Sequence, residues 1–301
     1  MSDVAPAPTP AHARSRRAAT ILELGFLLPV LALSVAVVIL PAAISIVRSL
    51  YDWHPGYESQ YVGLDNYTTL LDDKVFHQVV KNQAVLLIAL PFWVVLPLAL
   101  ALLLYKQVPA PGLFRTIFFL PAVMSSAVLG ILFRSILSVD GPLNGILRTI
   151  GLDSLTRSWL SDPALVKPVI IALIVWAGLG TGVVIFSAAL SGVDHELFEA
   201  AEVDGASWWQ QLWTVAIPSI RHVVYLWLYL GAVTIFLFSF GWVYVLTRGG
   251  PGYASATVDF DVYRRAFGRG EFGMAAAEAV VLLVTFIVVV GIARVVRRWL
   301  A

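Results

Sequence analysis

The sequence predicts an all-α integral membrane protein with six transmembrane helices. Hydrophobic residues make up 59% of the 301 residues and charged residues only 13%, whereas a soluble domain is typically about 25% charged. A helix needs roughly 20 apolar residues to cross a bilayer, because hydrocarbon offers its backbone no other hydrogen-bond partner. Six segments approach or exceed that length: Ile21–Val47, Ala84–Leu104, Thr116–Phe133, Val169–Val193, Val223–Thr247 and Phe272–Ala293.

The first span follows a tail, residues 1–20, that is rich in Pro and Ala and ends in Arg14, Arg16 and Arg17. A cleaved signal peptide has an apolar region of only about 7–15 residues, shorter than Ile21–Val47. We therefore expect an uncleaved first span behind a disordered cytoplasmic tail. Residues 21–301 then form one transmembrane domain.

The spans are almost free of charge, since only Glu23 and Glu278 interrupt the first and the last. Glu23 lies at the membrane edge, whereas Glu278 either lines a polar path or pairs with a neighbouring helix. Three glycines, Gly178, Gly180 and Gly182, interrupt the fourth span. Such residues can mark kinks around a pathway, but Gly and Pro are also simply commoner in membrane helices than in soluble ones.

The distribution of Lys and Arg gives only a weak indication of how the chain is oriented in the membrane. Six spans place both termini on one side of the membrane. If that side is the cytoplasm, nine of the 20 Lys and Arg residues lie inside, so the positive-inside rule barely decides. The basic clusters beside the first and last spans favour cytoplasmic termini.

Several classes of function are disfavoured by composition. The net charge of +1, without a basic patch, argues against a nucleic-acid partner. The absence of Cys excludes disulfides and thiolate chemistry, and the five His have no metal-ligand spacing. A P-loop ends in Gly-Lys-Ser/Thr, yet none of the four lysines precedes Ser or Thr. We therefore expect no metal site, no catalytic centre and no ATP site in this chain.

A helix-turn-helix is predicted between the fourth and fifth spans, over residues 194–218. Asp194 can cap the first helix, and Gly205 supplies the backbone freedom that ends it. Ser207 and Gln210 have capping-box spacing for a second helix, which must stop near Pro218.

The charge of this loop indicates its partner. Tryptophans at 208, 209 and 213 would suit a hairpin lying on lipid, but such helices usually carry Lys and Arg. No basic residue lies between Lys167 and Arg221. The loop is instead acidic and favours a basic protein surface. Its acidic residues are Asp194, Glu196, Glu199, Glu202 and Asp204.

One motif in the loop resembles a known family. Glu199-Ala200-Ala201 is followed after three residues by Gly205, and after nine more by Val215-x-Ile217-Pro218. This pattern resembles the EAA motif of ABC-importer permeases, whose usual ending is I-x-L-P.

Four further elements resemble, in order, those of the carbohydrate-uptake branch that contains the MalF-like permeases. They are residues 62–67 (V-G-L-D-N-Y), Arg115 to Pro121, Gly141-Pro142-Leu143-Asn144 and residues 247–251 (T-R-G-G-P). The C-terminus lacks the V-K-G ending of MalG-like partners, so the chain resembles the first permease of a pair.

This resemblance implies a MalF-like permease fold in the bacterial inner membrane, importing a carbohydrate or polyol. It implies three partners: a solute-binding protein outside, a second, MalG-like permease, and a homodimeric or paired ATPase that binds ATP and Mg. In the family the EAA loop is cytoplasmic and docks on the ATPase. Glu199 would pair with a basic residue there, Ala200 and Ala201 would allow close approach, and Gly205 would set the angle between the helices, with Asp204 and Pro218 completing the motif.

Aromatic side chains are candidates for a sugar path, because sugar rings stack on them. The candidates are the aromatic residues Trp176, Trp242 and Tyr244 and the polar residues Ser239 and Glu278. Trp and Tyr at span ends are equally typical of the interfacial belt. The leading alternative function is a secondary transporter, which would need ionisable groups near the midplane, and the spans offer few. A membrane enzyme is the other alternative.

Overall fold

A computed structural model describes residue 25, residues 27–105 and residues 120–300 of this chain. The N-terminal tail of residues 1–20, Glu23, and the first residues of the predicted first and third spans lie outside that range. So does most of the element from Arg115 to Pro121.

The first described helix, α1, covers Leu27–Arg48 and leads into a two-stranded antiparallel hairpin. Strand β1 is Tyr51–Asp52 and strand β2 is Gln60–Tyr61, with Tyr51 opposite Tyr61. The next helix, α2, covers Asp65–Asp72. Its buried Asn66 donates from Nδ2 to the carbonyl oxygens of Ser49 at 2.8 Å and Tyr51 at 2.9 Å. This amide therefore fastens α2 to the end of α1.

The predicted second span is confirmed as an apolar helical segment, Lys74–Tyr105. A turn at residues 87–88 divides it into α3, Lys74–Leu86, and α4, Ala89–Tyr105. Asp73 caps α3, because its Oδ1 accepts from the backbone N–H of Val75 at 2.7 Å.

The predicted third span, Thr116–Phe133, is not a single α-helix in its described part. Residues Leu120–Val123 form a 3₁₀ turn, and helix α5 begins only at Ser126 and ends at Ile136. Eleven residues of α-helix are about 16 Å long, too short to cross a bilayer alone. Ser125 caps α5 by accepting from the N–H of Val128 at 3.3 Å. Helix α6, Pro142–Thr149, follows.

The fourth span, α7, is a continuous helix over Val166–Ser191. Of the two alternatives for its glycines, the continuous helix does not support a kink. They serve close packing instead, because α4 lies directly against them. A Cβ atom on Gly178 would lie 2.3 Å from Trp93 Cζ3, and one on Gly182 would lie 2.7 Å from Pro97 Cβ.

The predicted helix-turn-helix follows α7 as α8, His195–Val203, and α9, Trp208–Ser219. At the other end of α7, Lys167 Nζ donates to the carbonyl oxygen of Ala254 at 3.1 Å. Since 26 residues of helix span about 39 Å, the loop of α8 and α9 and the segment around Ala254 lie at opposite ends of the molecule.

The fifth span was also predicted as one helix, and it is broken. Helix α10 covers Arg221–Leu237 and helix α11 covers Phe240–Leu246. Polar side chains from elsewhere satisfy both ends of the break. Gln83 Nε2 donates to the carbonyl oxygen of Ile235 at 2.5 Å, and Asp259 Oδ2 accepts from the N–H of Phe240 at 2.5 Å.

The remaining helices are α12, Val258–Tyr263, and α13, Phe272–Leu300, joined by a π-helical turn over Arg264–Arg269. Within the described ranges, four helices are long and apolar enough to cross a membrane: Leu27–Arg48, Lys74–Tyr105, Val166–Ser191 and Phe272–Gly291. A fifth candidate is the pair Trp208–Ser219 and Arg221–Leu237, bent by 71°. The described residues thus form a helical bundle with four or five candidate spans.

Candidate functional site

The turn between α8 and α9 has a defined hydrogen-bond pattern. The N–H of Gly205 donates to the carbonyl oxygen of Glu202 at 2.9 Å, and the N–H of Ala206 donates to that of Ala201 at 2.9 Å. This pair of bonds is the Schellman motif, which requires a left-handed residue after the helix. Gly205 supplies it with φ = +79°. The helix-ending role predicted for Gly205 is therefore confirmed.

The start of α9 is capped as predicted. The backbone N–H of Ser207 donates to Gln210 Oε1 at 2.7 Å, which is the return bond of a capping box. Pro218 lies one residue before the end of α9. Asp194 stands at the N-cap of α8, but among the described residues its side chain makes no capping bond to that helix. The expected Asp194 cap is therefore absent.

One side of the loop contacts the bundle and the other is open. Phe198 is buried, with its ring centroid 5.7 Å from that of Tyr105 at the end of α4. Glu199, Ala200 and Asp204 are exposed. The residue types of the motif thus remain accessible to a partner, while Phe198 ties their helix to the second span. Phe198 is not among the residues predicted from the sequence, although it is the one Phe, Tyr or Trp residue of α8.

An open cavity of about 360 Å³ lies between α4, α5, α7, α10 and α11. Its wall includes the indole rings of Trp93, Trp227 and Trp242. The rings of Trp93 and Trp227 are stacked with centroids 5.3 Å apart, and Trp227 Nε1–H donates to the carbonyl oxygen of Trp93 at 2.8 Å. Three residues that carry hydroxyl groups also line the cavity, Ser126, Thr181 and Thr234.

The lining brings three tryptophans together with residues that carry hydroxyl groups, and the cavity volume is in the range of small-molecule sites. Trp242 is among the residues predicted from the sequence, whereas Trp93 and Trp227 are not. The position of Trp93 in the middle of the predicted second span, rather than at its end, is a usable signal. No sequence signal brings these two rings together, because they lie on helices far apart in the chain.

The other predicted path residues lie elsewhere. Trp176 lines a separate apolar groove between α4 and α7 and packs edge-on against Phe133 at 5.2 Å. Tyr244 stacks on Phe240 at 5.2 Å. Ser239 is buried and donates from Oγ to Asp259 at 3.0 Å.

Glu278 is fully buried in an ionic cluster. Arg265 Nε lies 2.9 Å from a carboxylate oxygen of Glu278 and 2.9 Å from Asp261 Oδ2. Arg265 also pairs with Asp73. Burial raises the pKa of Asp73, but hydrogen bonds from Arg265 and from the backbone N–H of Val75, together with the positive charge of Arg265, outweigh it, so the pKa lies below its ordinary value. Of the two alternatives for Glu278, this geometry favours helix pairing.

The family can now be stated from comparison with known proteins. Residues 73–301 match the family described as binding-protein-dependent transport system inner membrane component. The chain belongs to this family. The permease is thus a multi-pass membrane protein and a transport subunit of an ABC importer rather than an enzyme.

Curated relatives align with the permease over most of their length. A probable ABC transporter permease of Bacillus subtilis, YurN, is 35% identical, over 86% of this chain and 90% of the relative. The diacetylchitobiose uptake permease NgcF of Streptomyces coelicolor is 32% identical, over 91% and 82%. The lactose transport system permease protein LacF of Rhizobium radiobacter is 31% identical, over 80% and 82%.

A solved structure has the same fold. It is a bacterial ABC transporter involved in the import of the acidic polysaccharide alginate, and it matches with a TM-score of 0.81 at 23% identity. The match covers 95% of the permease and 98% of that chain.

Proposed function

We propose that the permease carries a carbohydrate or a related polyol, received from an external solute-binding protein, across the bacterial inner membrane. The observation that carries this proposal is the tryptophan cavity. Apolar faces of sugar rings pack on indole rings, while their hydroxyl groups need hydrogen-bond partners. Residues of both kinds line the cavity, Trp93, Trp227 and Trp242 beside Ser126, Thr181 and Thr234. Relatives named for diacetylchitobiose and lactose agree with this class of substrate.

We further propose that the loop of α8 and α9 couples the permease to a separate ATPase. Glu199 forms a charge pair with a basic residue of that subunit, and Ala200 and Ala201 allow its surface to approach. The open position of Glu199 and Ala200 supports this role. ATP and Mg bind to the ATPase pair, and a second permease completes the pathway.

This proposal also sets the topology. The loop and both termini lie in the cytoplasm, and six helices cross the membrane. Helix α5 belongs to the third span together with residues that precede it, and α10 and α11 together form the fifth. The binding protein then meets the opposite end, which carries the hairpin of β1 and β2.

Uptake into vesicles tests the function. The permease is reconstituted with its second permease, its ATPase and the loaded binding protein, and radiolabelled sugar accumulation is measured. We expect accumulation that needs both ATP and the binding protein and persists after proton and sodium gradients are collapsed. Accumulation driven by an ion gradient without the ATPase would instead establish a secondary transporter.

A further inference from the structure

Two large aromatic side chains of the coupling loop remain without a role. Trp209 is 66% exposed and Trp213 is 67% exposed. They are four residues apart on α9, so both lie on the same side of that helix. Contiguous exposed apolar surface, unlike a single exposed apolar residue, indicates an interaction site.

The direction of α9 places these rings near a membrane surface. Only Ile220 separates α9 from α10, and the two helices meet at 71°. If α10 crosses the bilayer close to the membrane normal, α9 runs close to the membrane plane. It does so at the depth where the span begins, beside the polar residues Arg221 and His222.

The sides of α9 match that position. Leu212 and Ala216 are buried against the bundle. Gln210 and Thr214 form an exposed polar side. The tryptophans occupy a third side, giving the apolar and polar faces of an amphipathic interfacial helix. Trp is favoured at this level because its ring is apolar while its N–H reaches polar groups.

Charge separates the two helices of the loop. All five acidic residues lie within residues 194–204, whereas residues 205–219 contain no charged side chain. Insertion of α9 into the headgroup region therefore buries no charge and meets no repulsion from anionic lipid. The acidity that disfavours a lipid contact for the whole loop belongs to α8 and the turn alone.

We propose that Trp209 and Trp213 insert into the boundary between headgroups and acyl chains and anchor α9 to the bilayer, while α8 faces the ATPase. The occupant of this surface is lipid. The inference rests on the proposed placement of the loop beside the membrane, and it holds whatever substrate is carried.

Fluorescence quenching tests the anchor in the complete importer, reconstituted in vesicles. The vesicles contain lipids brominated either near the carbonyl end or near the methyl end of the acyl chain. The difference in emission between the wild-type importer and the double variant W209F/W213F gives the fluorescence of the two rings. We expect that lost component to be strongly quenched by the shallow bromines and much less by the deep ones. The single variant W159F, which removes a half-buried indole bonded to Asn144 at 2.9 Å, is the matched control and should show weaker shallow quenching.

Two results would overturn the proposal. If bromolipids do not quench the component but the ATPase shields it from acrylamide, the tryptophans belong to the ATPase interface. If neither the bromolipids nor the ATPase changes the fluorescence of the two tryptophans, their rings face water. Copurification separates this test from the coupling role: W209F/W213F should retain the ATPase at the wild-type ratio, and loss of the ATPase counts against the anchor.

Discussion

At the scale of single residues, Gly205 holds the turn of the coupling loop. Its φ of +79° disfavours a residue with a Cβ atom by about 1–2 kcal/mol, and a β-branched residue is more restricted still. Asn enters this region more readily than other residues with side chains. At position 205, a β-branched residue should therefore disrupt the turn, whereas Asn should be tolerated.

Changing either the turn or the acidic face should weaken binding of the ATPase. Gly205→Val should misdirect α9, whereas Gly205→Asn should stay near wild type. Glu199→Lys should weaken docking by placing a cation against a basic surface. The measurement is copurification of the ATPase at equal permease abundance in membranes.

A control of the same chemistry lies at the far end of the molecule. Glu58 is exposed near the hairpin, so Glu58→Lys should leave ATPase binding unchanged. Normal copurification and normal uptake in both Gly205→Val and Glu199→Lys would show that this loop is not the coupling element.

At the scale of elements, the break between α10 and α11 is held by Asp259. Its carboxylate accepts from Ser239 Oγ at 3.0 Å, from the N–H of Phe240 at 2.5 Å and from the N–H of Phe260 at 2.9 Å. Burial raises the pKa of this carboxyl, while the hydrogen bonds from Thr257 and Ser239 oppose the rise. The break places Trp242 in the cavity wall two residues after Phe240.

Loss of this carboxylate should loosen the break and displace Trp242. Hydrogen bonds to a charged group contribute about 1.5–3 kcal/mol, so Asp259→Ala should lower thermal stability and raise the KM for sugar uptake. Asp259→Asn, which keeps an acceptor, should lose less of both. An unchanged KM in Asp259→Ala, with intact ATPase binding, would mean that the break does not shape the cavity.

The glycines of α7 act through packing between helices. From the sequence alone, Gly178 and its neighbours could either mark a kink or reflect the ordinary frequency of glycine in membrane helices. In the bundle they lie beneath Trp93 and Pro97 of α4. Close contact between two helices, which drives association in membranes, is thus their physical role here.

At the scale of the whole molecule, the permease leaves a large apolar surface uncovered. In the described part of the chain, no residue of α1 is buried, and one chain supplies one coupling loop. An ATPase pair offers two docking sites. A second permease should therefore copurify with this chain at equal stoichiometry. Recovery of an active importer containing only this permease and its ATPase would contradict the heteromer.

Features set by local physics could be read from the sequence alone. Apolar length identified the second, fourth and last spans, and neighbouring residues built the capping box at Ser207 and the turn at Gly205. Each depends on groups within a few positions of one another. The motif around Glu199 likewise indicated the family that the comparisons then showed.

Tertiary structure alone decided where helices break and where the cavity lies. The break after α10 depends on Gln83 and Asp259, whose partners Ile235 and Phe240 are 152 and 19 positions away. The cavity depends on stacking of Trp93 and Trp227, separated by 134 positions. Periodicity and composition indicate only which side of a segment is apolar. These contacts form only when distant helices pack, because a backbone group left unpaired at a helix break inside a membrane needs a hydrogen-bond partner from another part of the protein.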